Sequence, residues 1–143
     1  MHAYEHLDLW QRGLDVASKL QRISREVAHW SDRDLWRQLT RAASSIPANV
    51  AEGAQRGSDR EFARFLAIAM GSAAELHSLL LLAQRSGVLI GVESTQLVED
   101  AQRLRRMASA LRARALGLPT RRRATPSSGA PQDTPRCDEP PEP

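Results

Sequence analysis

Arginine is the residue whose spacing in this chain suggests a repeated chemistry. Arg33, Arg37 and Arg41 recur at four-residue steps, as do Arg56, Arg60 and Arg64, so on a helix each triplet lines one face with guanidinium groups. A planar fork of fixed positive charge suits phosphate oxygens, and contact with a nucleic-acid backbone is the functional reading. Asp32, Asp34, Asp59 and Glu61 interleave with these arginines, and the competing reading is a solvated face that the acids neutralise. Farther along, Arg103, Arg105, Arg106, Arg112 and Arg114 give a second basic side, extended by Arg121, Arg122 and Arg123. The candidates for a nucleic-acid or partner contact are Arg33, Arg37, Arg56, Arg60, Arg64, Arg105 and Arg112.

Catalysis has much less to work with. Glu26-Val27-Ala28-His29 matches the Glu-x-x-His spacing of di-iron bundles, but such a site needs a second pair and two further inward glutamates. The chain supplies no second pair. His2, His6 and His77 are scattered, with no nucleophile or ligand at a telling interval. The single cysteine, Cys137, allows neither a disulfide nor a thiolate metal site within one chain, and fits a reducing compartment. No catalytic, cofactor or metal residue is assigned, and the expectation is a protein without enzymatic activity.

These side chains must be held by helices. The chain has 143 residues, 41% hydrophobic and only 4% aromatic, which is enough for one domain with a core of Leu, Ala, Val and Ile. The net charge is +3; the isoelectric point near 9.9 overstates the basicity because arginine titrates far above neutrality. Apolar residues recur at three- and four-residue steps in four segments. The first runs from about Leu7 to Ala28 with Leu9, Val16, Leu20, Ile23 and Val27 on one face, flanked by Trp10, Ala17 and Trp30. The second opens at Ser31-Asp32-Arg33-Asp34, carries Leu35, Leu39, Ala42, Ile46 and Val50, and should bend near Ala43–Pro47 because proline lacks the backbone donor. Gly57 can close it, and Ser58-x-x-Glu61 is a capping box for the third. That helix presents Phe62, Phe65, Leu66, Ala69, Ala73, Leu76, Leu80 and Ala83 as far as Gly87. In the fourth, Leu97, Ala101, Leu104, Ala108, Leu111 and Ala115 alternate steps of four and three up to Gly117, as in a coiled-coil seam.

Short links between four amphipathic helices predict an all-α, antiparallel up-down-up-down four-helix bundle over residues 1–117. Residues 118–143 are rich in Pro, Arg and Ser and read as a disordered tail. Ile68, Leu79, Leu81 and Leu82 exceed what one bundle core absorbs, which predicts self-association. The N-terminus has no basic region followed by an apolar run, and no stretch approaches the roughly 20 apolar residues of a membrane span. A cytoplasmic location and no membrane partner are therefore expected.

The stretch Arg41-Ala42-Ala43-Ser44-Ser45-Ile46-Pro47-Ala48-Asn49-Val50-Ala51-Glu52-Gly53 is the most informative. Helical spacing puts Arg41, Ser45, Asn49 and Glu52 along one side, predicting a polar network around the backbone that Pro47 loosens, with Arg41 paired to a carboxylate such as Glu52 or Glu75. A ligand or catalytic pocket is the alternative, though no His or Cys lies within the segment to serve as base or nucleophile.

This stretch continues through Arg56. With the Phe62–Gly87 segment and its Phe-x-x-Phe-Leu-x-Ile-Ala-x-Gly-Ser-x-x-Glu-Leu core, it resembles the four-helix-bundle proteins encoded by intervening sequences of bacterial 23S ribosomal RNA genes. The same family includes the accessory variability determinant proteins of diversity-generating retroelements. Leu7-Asp8-Leu9-Trp10-Gln11 and Gln38-Leu39-x-Arg41-Ala42 fit too, so the likeness spans about residues 4–113. Gly71, Ser72 and Glu75 join Arg41, Ser45, Pro47, Asn49, Glu52 and Gly53 as structural positions of the matched segments. The resemblance implies a ring-like homopentamer. For the retroelement branch it also implies a basic surface that engages RNA or DNA and a reverse transcriptase. The tail and the small Ser72-Ala73-Ala74 run depart from the family pattern.

Overall fold

The computed structural model of the protein describes residues 3–27 and 32–119. The Glu26-x-x-His29 pairing, Trp30, Ser31, Cys137, the arginines at 121–123 and the expected disorder of the tail beyond residue 119 lie outside the described residues, as does the side chain of Val27.

A short 3-10 turn, Tyr4–His6, leads into α1 (Asp8–Val27), α2 (Arg33–Ala54), α3 (Asp59–Arg85) and α4 (Gly91–Ala115). Each helix packs on its neighbours in the chain, α1 also packs on α4, and the diagonal pairs bring no Cα atoms within 8 Å of each other. The four axes therefore form a closed square. Side-chain proximities fix the directions. Gly13 of α1 faces Pro47 of α2, and Gly53, late in α2, faces Phe62 and Phe65, early in α3. His77 meets Gln102 at 2.9 Å across α3 and α4. Lys19 and Arg22, late in α1, reach Glu93, early in α4, at 3.7 and 3.5 Å. Every adjacent pair is antiparallel, which is the up-down-up-down bundle that the four amphipathic stripes predict.

The stripes supply the core. Leu20, Leu39, Ile46, Val50, Leu66, Leu76, Leu80 and Leu97 are fully buried, with Phe62 and Leu104 nearly so. Alanines at 42, 43, 69, 73, 101 and 108 fill the layers between them and let the helices approach closely. The seam of α4 frays toward its end, where Leu111 and Ala115 are only half-buried.

The helix ends differ in how they are closed. Ser58 caps α3, accepting the Glu61 N–H at 3.2 Å; the Glu61 carboxylate turns to Arg64, so only half of the expected capping box forms. α3 and α4 both stop in a left-handed glycine, Gly87 (φ 73°) and Gly117 (φ 65°). The N–H groups of Val88 and Leu118 reach back to Ala83 and Ala113 at 2.9 and 2.8 Å, the bond that closes a Schellman motif. Gly57 plays no such part. It does not take a positive φ, and α2 closes two residues earlier, where Gln55 and Arg56 donate to Glu52 and Gly53. Asp32 precedes α2 but makes no side-chain cap bond. α2 runs through Pro47 as one element.

One expectation about hydropathy is corrected. α3 is long and apolar enough to cross a membrane by length and composition alone, because its buried stripe and part of its outer face are both apolar. Its inner stripe is here the bundle core.

Candidate functional site

The polar segment of α2 forms a small network at the α2–α3 interface. Ser45 and Ser72 share a hydrogen bond at 2.8 Å, and the Asn49 amide donates to the Ser45 carbonyl at 2.7 Å and to its hydroxyl at 3.0 Å. The carbonyl deprived of a donor by Pro47 is that of Ala43, so the network serves a different backbone group from the one expected. The proline ring instead packs on α1: a Cβ built on Gly13 would lie 3.2 Å from Pro47 Cδ.

Arg41 departs from its expected pairing. It is exposed and bonds to none of the described residues, while Glu52 pairs with Arg56. Arg56 also stands over the Phe65 ring, 5.0 Å from its centroid. Its charge is thereby committed at the α2–α3 corner. Gly71 and Glu75 lie on the outer face of α3, away from the serine network.

The remaining arginines divide by their surroundings. Arg37 is bridged to Asp34 at 3.2 Å, and Arg33 is engaged as well. Arg103 lines a groove on the α1–α4 seam with Arg12, Asp15 and Asp100, where acids balance the bases. Arg105 is exposed on α4. Arg60, Arg64 and Arg112 are different, because the fold brings all three together. The first turns of α3 and the last turn of α4 meet at one end of the bundle, and these three side chains line an open groove there with Glu61, Ala63, Ala67 and Leu116. Arg64 has a loose, exposed bridge to Glu61 at 3.6 Å. Among the described residues Arg60 has no pairing partner, and the Arg112 Nε is buried with no hydrogen-bond partner.

Sequence reasoning missed that Arg112 joins Arg60 and Arg64, since helical spacing links residues within one element only. The antiparallel pairing of α3 and α4 carries that signal. It also missed the Gly13–Pro47 and Gly53–Phe65 approaches. Among the described residues no group of three or more His, Cys, Asp or Glu is placed to hold a metal ion.

A family model described as 23S rRNA-intervening sequence protein matches residues 5–110. Among solved structures, the chain is similar to a protein of unknown function from the S23 ribosomal protein family of Bacteroides thetaiotaomicron. The two are 21% identical, the match covers 70% of this chain and 94% of that one, and the TM-score is 0.65. At that identity the likeness bears on the fold. No curated protein matches the chain.

Proposed function

This chain belongs to the 23S rRNA-intervening sequence protein family, and we propose that it is a non-enzymatic, homo-oligomeric accessory factor of the cytoplasm that binds nucleic acid through outward arginines. The observation that carries the reading is the unequal balancing of those arginines. Arg37 and Arg56 are each bridged to an acid one turn away on their own helix, whereas Arg60, Arg64 and Arg112 converge on a groove whose lining holds a single acid, Glu61. Exposed ion pairs contribute little, so the Glu61–Arg64 bridge exchanges readily for a phosphate. Self-association is supported by the outer face of α3, where Ile68 and Leu82 are 45% and 53% exposed. A ring of five, implied by the family resemblance, would repeat the basic groove and multiply a weak attraction; a reverse transcriptase is the protein partner the resemblance implies.

Binding of RNA and DNA across a salt series tests this reading. Affinity should fall steeply with salt, as for contacts that release phosphate counterions. Absence of binding even at low salt removes the nucleic-acid half. A second reading, an assembly protein with solubilising arginines, is favoured by the Arg37–Asp34 and Arg56–Glu52 pairs. Charge reversal at Arg60 and Arg64 that leaves every interaction intact would select it.

A further inference from the structure

We infer that the outer face of α3 docks against the α1–α2 groove of a second copy of the chain, and that Glu75 of one copy pairs with Arg41 of the next. The inference rests on the self-association reading and names the two surfaces that meet. Arg41 and Glu75 are both exposed, and neither bonds to any of the described residues. Glu75 is the only charged residue between Arg64 and Arg85, seven residues from Ile68 and seven from Leu82. Seven residues make two helical turns, so Glu75 lies on the same row as the two exposed apolar side chains, about 10 Å from each. That midway position decides which partner the face takes. Whether Ile68 meets the partner's Leu82 or the partner's Ile68, a twofold pairing of two α3 faces sets Glu75 against its own copy. Like charges so placed oppose binding. The face needs a different surface, apolar and with a cation beside it.

The α1–α2 groove meets that description. Tyr4, Trp10, Leu14, Pro47, Ala48 and Ala51 line it, and none of its lining residues is charged. The other described grooves each hold both arginine and acid side chains. Tyr4 and Trp10 stand edge to face with ring centroids 5.4 Å apart, and these are residue types that anchor protein interfaces. Pro47 is braced on Gly13, which makes the floor firm, and Leu14 is 39% exposed. The small side chains of Ala48 and Ala51 leave room for Ile68 or Leu82 to seat. Arg41 precedes Ala48 by seven residues, so it stands on the same outward side of α2 and flanks the groove. The contact is head-to-tail: each copy offers its α3 face to one neighbour and its groove to another. The Arg41–Glu75 pair fixes the register and leaves neither charge stranded between apolar faces.

Light scattering on the full chain, alone and in mixtures, tests this. Arg41→Glu and Glu75→Arg should each weaken self-association at least about tenfold, by setting like charges across the contact. An equimolar mixture of the two should restore association, because in an alternating assembly every contact again joins opposite charges. A pair formed within one chain gains nothing from mixing, so absence of recovery overturns the inference. A second set separates the two faces. Leu14→Glu with Ala48→Glu blocks the groove, and Ile68→Glu with Leu82→Glu blocks the α3 face. Each double variant should be monomeric alone, and together they should form a 1:1 dimer and nothing larger, since one intact groove meets one intact α3 face. A groove-blocked variant that assembles like the unaltered chain overturns the inference. All six side chains are exposed, and circular dichroism checks that the helices persist. If the unaltered chain associates but ignores both sets of variants, the inference falls and self-association stands through another surface. An unaltered chain that stays monomeric at every concentration removes both.

Discussion

At Gly53 the absence of one methyl sets how closely α2 and α3 approach. A Cβ there would fall 2.5 Å from the Phe65 Cβ and 3.1 Å from Phe62 Cδ2, too close for either to remain in place. Alanine improves helix propensity by about 1 kcal/mol over glycine, but forcing a methyl into a filled core costs about 1–3 kcal/mol. Gly53→Ala should therefore destabilise the fold despite the better helix former. Gly71 is the matched contrast, since nothing lies within 4 Å of its added Cβ. Gly71→Ala should stabilise by up to about 1 kcal/mol; urea melts of the two variants should move in opposite directions. Both glycines sit in the segments read from sequence as structural, yet periodicity alone does not separate them. What distinguishes them is the neighbouring helix. The same holds for Arg41: spacing offered Glu52 as its partner, but Arg56, one helical turn beyond Glu52, takes that carboxylate and stacks on Phe65.

Elements were the most legible level, because burial imposes its period on sequence. The stripe of α3 from Phe62 to Ala83 is buried at each of the eight positions read from spacing. Leu66→Ala and Leu104→Ala should each cost about 2–5 kcal/mol by denaturant unfolding; losses near zero would mean these side chains do not reach the core. Ends were legible where chemistry is local. Ser58 caps its own helix, and Ser58→Ala should lower stability by about 1 kcal/mol, read from the thermal midpoint. Gly87 and Gly117 were likewise readable as stops. Gly57 misled because a glycine only permits the left-handed turn, and α2 ends without needing one. The basic groove was half legible: Arg60 and Arg64 follow from spacing, while Arg112 requires knowing which helix ends meet.

For the whole molecule, the outer face of α3 is the surface that the single bundle leaves uncovered. Ile68, Gly71, Glu75, Ser78 and Leu82 follow one another along it, with little charge between Arg64 and Arg85. The surplus of apolar residues was visible in sequence, but not that Leu79 and Leu81 would tuck half inside while Ile68 and Leu82 stay out. Under the proposed self-association, replacing both Ile68 and Leu82 by glutamate should leave monomers by light scattering while the circular dichroism spectrum holds. The square of helices also has one loose side. α1 and α4 share the sparsest contact of the four neighbouring pairs. Lys19 and Arg22 on Glu93 tie that side at one end, and open grooves run along the rest. Breathing should begin there, with α1 peeling away as a unit while the α2–α3 hairpin stays zipped. Its amides should then trade hydrogen for deuterium ahead of those in α3, and more so as added salt screens the tie to Glu93.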